Sequence, residues 1–348
     1  MTDIFRIDDR HEESEDAEQP TKRRRSRLVI ALLSLTAGIL AIVVGLGVAF
    51  GIFAGNLAST YNDKTDKITN AFPSGDRPKA SKTGAKNILL MGSDSRGDST
   101  SIDSSSASDQ RTDTIMLVHI DADRKTVWTM SIMRDLWVNI PGHGEHKINA
   151  AFAYGGSALT VKTIEQLLDV RIDHVAIIDF QGFEGMTDAL GGVDVESPAD
   201  FTARGQHFTK GKNHVNGDQA LKFVRERYSF ANGDYTRVEN QQAFLRAIVD
   251  KTISKDTLTS PTKITKFVGA MSQYLSVDDS LTASEIAKLG VSLRGVGKSD
   301  VRFFTIPTGG TGTSADGQSI VLQNPLDMPV LRSALASDSL DDFEPASS

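Results

Sequence analysis

The chain has 348 residues, 39% of them hydrophobic, a formal net charge of −7 and no cysteine. That is enough for one large domain or two small ones with a sizeable core. The missing cysteine excludes disulfides, zinc–thiolate sites and cysteine nucleophiles, and the acidic balance argues against bulk attraction to nucleic acid.

Residues 1–20 are rich in Asp and Glu, lack apolar periodicity and read as a disordered tail. Lys22-Arg23-Arg24-Arg25-Ser26-Arg27 follows, and residues 28–53 then hold no charged residue and no Pro, Asn or Gln. About 20 residues at 1.5 Å each cross the hydrocarbon core, so this run reads as one transmembrane helix. Basic residues ahead of it favour a cytoplasmic N-terminus, which places the rest of the chain outside the cell membrane. A cleaved signal peptide fits less well, because its apolar region is normally about 7–15 residues. The basic run reads as a topology signal rather than a nucleic-acid patch. Residues 54–85 mix Gly, Ser, Thr, Lys and Asp with Pro73 and Pro78, and read as an extracellular linker with a mean reach on the order of 30 Å. That would hold the following domain near the outer face of the bilayer.

From residue 86 to about 332, short apolar runs alternate with helix-length amphipathic ones, which argues for an α/β or α+β domain. Strands are expected at 88–91, 114–120, 126–132, 174–179 and 301–306. Helices are expected at 158–168, 183–190, 217–224, 237–254, 263–274 and 282–289, the last closed by Gly290. The acidic, Ser-rich tail 333–348 is expected to fray.

The chemistry-bearing residues sit at the ends of these elements. Asp94 ends the first strand and Asp113 begins the second, with Arg96 and Arg111 beside them. If the strands are neighbours, both carboxylates share one sheet edge. Carboxylates are hard-oxygen ligands for Mg²⁺, and arginines suit phosphate. The strand at 126–132 runs into Arg134-Asp135, which reads either as a phosphate clamp on that same edge or as a surface salt bridge. His143 and His146 invite a metal reading, but no second pair of His or Cys lies at ligand spacing. Neither Gly92–Gly97 nor Gly191-Gly192 has a phosphate-loop pattern. Arg225 and Arg227 alternate, so in extended geometry they face the same side. Asp234, Arg237 and Gln241 follow, the last two four apart on one helix face. This segment reads as a bidentate anion clamp, against the plainer alternative of a helix with ordinary ion pairs.

Asn87 to Arg96, Arg111-Thr112-Asp113-Thr114, Arg134-Asp135, His146-Lys147-Ile148-Asn149, Asp179-Phe180-Gln181-Gly182-Phe183, Gly191-Gly192-Val193-Asp194-Val195 and the segment 225–242 come in this order. Together they resemble the LytR–CpsA–Psr family of cell-wall enzymes across roughly residues 86–250. The resemblance implies a central mixed β-sheet flanked by helices on both faces. It also implies a phosphotransferase acting outside the membrane, which moves a glycopolymer of teichoic acid, capsule or arabinogalactan type from a polyprenyl-pyrophosphate carrier onto peptidoglycan through a phosphodiester. On this resemblance Asp94 and Asp113 hold Mg²⁺, or Mn²⁺ in its place. Arg96, Arg111, Arg134, Arg225, Arg227, Arg237 and Gln241 bind the pyrophosphate, and Arg134, Arg225, Arg227 and Asp234 are the catalytic set, with Asp234 the candidate base. An apolar pocket for the lipid tail is expected between sheet and helices. The implied partners are the lipid-linked glycopolymer, peptidoglycan and the bilayer, with no nucleic acid.

This sequence departs from the family pattern at Met133, where a Pro often precedes the arginine, and in its long Ser-rich insert between Asp94 and Arg111. Two other readings stand beside the transferase. A membrane-anchored transcriptional attenuator would need a DNA-binding element, and no helix-turn-helix fits in the residues before the span. A pyrophosphatase for the same lipids would need only water in place of the acceptor.

Overall fold

The computed structural model describes residues 51–93, 112–230 and 233–343. The chain divides into two compact units, Met1–Gly55 and Asn56–Ser348. In the first, residues 51–55 are helical. The acidic tail, the basic run and residues 28–50 of the expected span lie outside the described residues, among which no helix is long and apolar enough to cross a membrane.

In the second unit residues 56–64 are helical and lead to β1 (Asp66–Lys67). Then come β2 (Lys86–Ser93), β3 (Thr112–Ile120), β4 (Val127–Ile132), β5 (Trp137–Ile140), β6 (Gly144–Lys147), α1 (Ala150–Leu168), β7 (His174–Asp179) and α2 (Phe180–Ala189). The short strands β8 (Val193–Ser197), β9 (Phe201–Ala203), β10 (Gln206–Phe208) and β11 (Gly211–Val215) form two antiparallel pairs, β8 with β11 and β9 with β10. Next are α3 (Gly217–Arg225), α4 (Asp234–Thr252), α5 (Lys255–Leu258), α6 (Pro261–Ser272), β12 (Leu275–Val277), α7 (Ala283–Ser292), β13 (Val301–Thr305), β14 (Thr308–Thr313), β15 (Ser319–Gln323) and α8 (Asp327–Ser337).

A seven-stranded sheet in the order β1-β12-β7-β2-β3-β4-β13 forms the centre. It is mixed: β2 runs parallel to β7 and β4 to β13, while β3 runs antiparallel to its two neighbours, β2 and β4. The α/β class with a central mixed sheet is as expected. Side chains alternate across a strand, so the two faces carry different residues. Leu89, Met91, Leu117 and Met130 face one core with Ile164 and Leu168 of α1 and Leu331 and Leu335 of α8. Leu90, Met116, Ala176 and Ile178 face the other way, toward α2, α3 and α4. There Phe201, Phe208, Phe223 and Phe244 belong to a second core.

Four expectations are corrected. The stretch 54–85 is not a free coil: Tyr61, Ile68, Ala71 and Ala85 are buried. Arg77 is clamped on Glu165, Nη2 to Oε1 at 2.6 Å, and its guanidinium lies 4.5 Å over the Phe72 ring. Helix α1 begins at Ala150 rather than at residue 158, and is kinked at Gly155 and Gly156. Gly290 lies inside α7, which is capped at Leu293. Ser333 does not start a frayed tail; α8 continues to Ser337, and Leu335 and Leu340 are buried.

Asp278, only 1% exposed, ties β12 to β7. Its carboxylate accepts from the Val175 N–H at 2.9 Å, from the Ser280 N–H at 2.9 Å and from the Leu281 N–H at 3.2 Å, and faces His174 Nδ1 at 3.3 Å. Burial alone would raise this carboxyl; the bonds from His174, Ser280 and Val175 outweigh it and bring it down to about 2. Burial, then Asp278, pushes the Tyr61 phenol up to about 12. An unfolded Asp titrates near 3.9, so this carboxylate stabilises the fold fully above that value and less as pH falls toward 2. Asp278→Asn is therefore expected to destabilise the protein by about 2 kcal/mol at pH 7. In thermal melts across pH the gap to the parent chain should close toward pH 2.

Candidate active site

The site forms where three elements end together. β3 and β4 are antiparallel with Ile115 opposite Ile132. Extending that register by two residues puts Asp113, at the start of β3, across from Arg134, just past the end of β4. The Arg134 Nη1 donates to Asp113 Oδ1 at 2.7 Å. The third element is the junction of α3 and α4. A capping box at Asn216 and Gln219 starts α3, which stops at Arg225 because Glu226 is extended. Glu226 Oε1 then accepts from the Tyr228 and Ser229 N–H groups at 2.7 and 2.8 Å, which fixes the turn that carries Arg227. Asp234 opens α4, where a carboxylate suits the positive end of the helix dipole. Arg237 and Gln241 follow it by one and two turns and are both buried.

Charges alternate through the cluster. Asp234 Oδ1 lies 3.1 Å from Arg237 Nη1 and 3.6 Å from Arg227 Nη1, and its Oδ2 lies 3.8 Å from Arg134 Nε. Asp135 lies 3.7 Å from Arg134 Nε and 3.5 Å from Lys147 Nζ. Asp135 and Asp234 also act on one another as a hydrogen-bonding carboxyl pair, an interaction that raises one carboxyl and lowers the other. Burial and that bond push the Asp135 carboxyl up. Burial acts upward on Asp234 too, but the bond from Asp135 and the Arg237, Arg134 and Arg227 guanidinium groups outweigh it and hold that carboxyl down. Burial and neighbouring Arg134 lower the Arg237 guanidinium.

Two cavities meet at this cluster and share Arg134, Arg227 and Tyr228. One, of about 390 Å³, runs between the sheet and the helices over Leu90, Met116, Ala176, Ile178, Phe183 and Leu245. Asp113, Arg134, Arg225, Arg227, Arg237 and Gln241 also line it. The other, of about 1280 Å³, is a polar cleft lined by Asp135, Lys147, Asn149, Tyr154, Asp234 and Gln318 among others. An apolar cavity with a cationic lining suits an amphiphile whose head is an anion. The polar cleft suits hydroxyl-rich groups attached to that head or approaching it.

The structure thus brings together Asp113, Arg134, Arg225, Arg227, Asp234, Arg237 and Gln241. Asp94, Arg96 and Arg111 lie outside the described residues. Asp113 offers the hard carboxylate oxygen that Mg²⁺ takes, beside guanidinium groups that suit phosphate. Among the described residues it does not belong to a group of three ligands, so an ion there would need Asp94 or substrate oxygens as well. Among the described residues His143 and His146 belong to no metal-binding group; they pack on Tyr154, with ring centroids 4.5 and 5.4 Å away. The sequence reading missed three contributors. Asp135 had been weighed only as the ion-pair partner of Arg134, although a carboxylate directly after a strand-end arginine was the available signal. Lys147 stood within the His146–Asn149 motif, but no role was assigned to it. Tyr228 is 84% exposed, and the Arg227 guanidinium lies 4.7 Å over its ring.

A family profile described as LytR_cpsA_psr matches residues 52–333. The chain is 34% identical over 233 residues to a polyisoprenyl-teichoic acid–peptidoglycan teichoic acid transferase, TagU, of Bacillus mycoides, covering 64% of this chain and 72% of that one. It is 32% identical to the Enterococcus faecalis protein of the same name, covering 69% and 80%. Among solved structures, B. subtilis TagV superposes with a TM-score of 0.62 at 27% identity, covering 76% of this chain and all of that one. TagT bound to LI-WTA gives 0.60 at 29% identity, covering 78% and 98%.

The carboxyl pair makes a direct prediction. Asp234→Asn removes the charged partner that helps hold the Asp135 proton, so the Asp135 carboxyl should fall toward the ordinary range. Carboxyl-carbon NMR titration of the two proteins would show it; an unchanged Asp135 midpoint would mean the pair is not coupled.

Proposed function

The chain belongs to the LytR_cpsA_psr family, and on that footing we propose that its arginine-headed cavity transfers a glycopolymer from a polyprenyl-pyrophosphate carrier to peptidoglycan. The observation that carries the reading is the meeting of the two cavities at Arg134 and Arg227, with Arg225, Arg237 and Gln241 on the apolar side. The lipid tail lies over Leu90, Ala176, Ile178 and Leu245, the pyrophosphate sits among the guanidinium groups, and the glycan extends into the polar cleft. The donor class agrees with the relatives named as polyisoprenyl-teichoic acid transferases and with the structural neighbour bound to LI-WTA. The anchor at 28–53 would keep the domain at the outer face, where lipid-linked donor and peptidoglycan meet.

The reaction is an in-line displacement. A peptidoglycan hydroxyl oxygen forms a bond to the sugar-side phosphorus, the phosphoanhydride bond to the second phosphate breaks, and polyprenyl phosphate leaves with the electron pair. Little covalent work falls to the protein; its part is positioning and charge stabilisation. Arg134, Arg225, Arg227 and Arg237 neutralise the charge that moves onto the leaving phosphate. Asp234, held low by three guanidinium groups, is suited to fixing those groups in place. Asp135, whose carboxyl is pushed up and which lines the polar cleft, is in its ionised form the stronger base of the two and the better matched to taking the hydroxyl proton. Asp113, together with Asp94 on the family resemblance, would hold Mg²⁺, which when bound supplies further charge neutralisation at phosphate oxygens.

Arg225→Ala and Asp113→Ala are each expected to lower transfer from a lipid-linked donor to peptidoglycan fragments by roughly 10²–10³. Undiminished transfer would refute this site, and equal phosphate release with donor alone would favour the pyrophosphatase. Asp135→Asn should lower kcat and flatten the acid limb of the kcat/KM pH profile, a change that a purely positional role would not produce. Filling the cavity floor by Ala176→Phe should raise KM for long-chain donors more than for short-chain ones.

A further inference from the structure

His119 lies six residues along β3 from Asp113, roughly 20 Å from the cleft at the strand's rise, and is only 1% exposed. Its Nδ1 is 2.7 Å from Asn87 Oδ1. The Asn87 Nδ2 donates to the Arg171 carbonyl at 2.9 Å, which fixes the amide with its oxygen toward the imidazole. An amide oxygen only accepts, so Nδ1 carries a proton, and in the neutral form of the ring the lone pair lies on Nε2, on the other side. That lone pair faces no donor among the described residues. It faces Asp338 Oδ1 at 3.0 Å and Asp121 Oδ1 at 3.6 Å.

The outer oxygens of both carboxylates are separately held. Asp338 Oδ2 accepts from the Ala122 N–H at 3.0 Å, and Asp121 Oδ2 accepts from Trp128 Nε1 at 3.3 Å. These bonds aim the remaining oxygens at the imidazole. Asp121 Oδ1 is buried there without a hydrogen-bond partner. The three inward atoms lie within 4.8 Å of one another. Ligands about 2.0–2.2 Å from a tetrahedral ion stand roughly 3.3 Å apart, close to the spacing seen.

We propose that His119, Asp121 and Asp338 form a binding site for a divalent transition-metal ion of the Zn²⁺ class, with water as the fourth ligand. One imidazole nitrogen and two carboxylate oxygens suit Zn²⁺ better than the all-oxygen shells of Mg²⁺ or Ca²⁺. Asn87, Trp128 and the Ala122 amide supply the outer bonds that orient such ligands. The ion's role is structural. It fastens Asp338, at the end of α8, to the turn between β3 and β4, far from the transfer chemistry.

The test uses the full-length chain stripped with chelator and titrated with Zn²⁺, following heat uptake and the melting midpoint. One ion should bind at this site. At about 100 times its dissociation constant it should raise the midpoint by roughly 5 °C. Asp113→Ala should keep this response, which separates it from any ion in the cleft, whereas His119→Gln and Asp338→Asn should lose it. Asp121→Asn guards against misfolding, because it keeps the Trp128 partner while weakening one ligand; it too should lose the response. A Zn²⁺-insensitive midpoint in the parent chain would overturn the site in favour of a protonated imidazole paired with Asp338. A response surviving in all three variants would overturn it equally.

Discussion

Four guanidinium groups gathered beside an apolar cavity repel one another, and burial makes the repulsion worse. Carboxylates make the gathering stable. Asp234 lies against Arg134, Arg227 and Arg237 at once, and Asp113 holds Arg134 from the other side. Without that lattice the arginines would turn to solvent. With it they stay half-desolvated and preorganised, the state in which fixed charges stabilise a phosphoryl transition state most. The uneven carboxyl pair follows from the same crowding. Asp234 meets three guanidinium groups that hold its carboxyl down, while burial and the neighbouring Asp234 push the Asp135 carboxyl up.

The sheet sets where this lattice stands. Antiparallel pairing of β3 and β4 brings the head of one strand beside the tail of the other, so an acid and a base far apart in sequence meet at one edge. The sheet face carrying Leu90, Met116, Ala176 and Ile178 is not fully closed by α2, α3 and α4, and the gap is the apolar cavity. A filled core at that place would be more stable and could take no lipid. The opposite face packs against α1 and α8.

The sequence showed what is local and hid what is tertiary. The strand at 126–132 and its terminal Arg134 could be read from an apolar run that stops in charge, and Arg237 and Gln241 from helical spacing after Asp234. The five expected strands correspond to β2, β3, β4, β7 and β13, because each is a sustained apolar run. The antiparallel pairs β5–β6, β8–β11, β9–β10 and β14–β15 escaped notice; they are short and half-polar, and pairing rather than composition defines them. Residues 54–85 look like coil by composition and are ordered by Arg77 on Glu165, a contact no local pattern announces. The state of Asp135 depends on Asp234, contributed by a distant element. The cavity is an absence of side chains, which composition cannot display.

The central claim is that lipid cavity and arginine lattice act as one site. Calorimetric titration with a soluble isoprenyl diphosphate, the matching isoprenol and inorganic pyrophosphate tests it directly. Head and tail bound together should give an affinity at least 100-fold tighter than either alone, because each 1.4 kcal/mol gained by adding the second part is a factor of ten. If pyrophosphate alone bound as tightly as the isoprenyl diphosphate, the cavity would not be the seat of the lipid and the claim would fall.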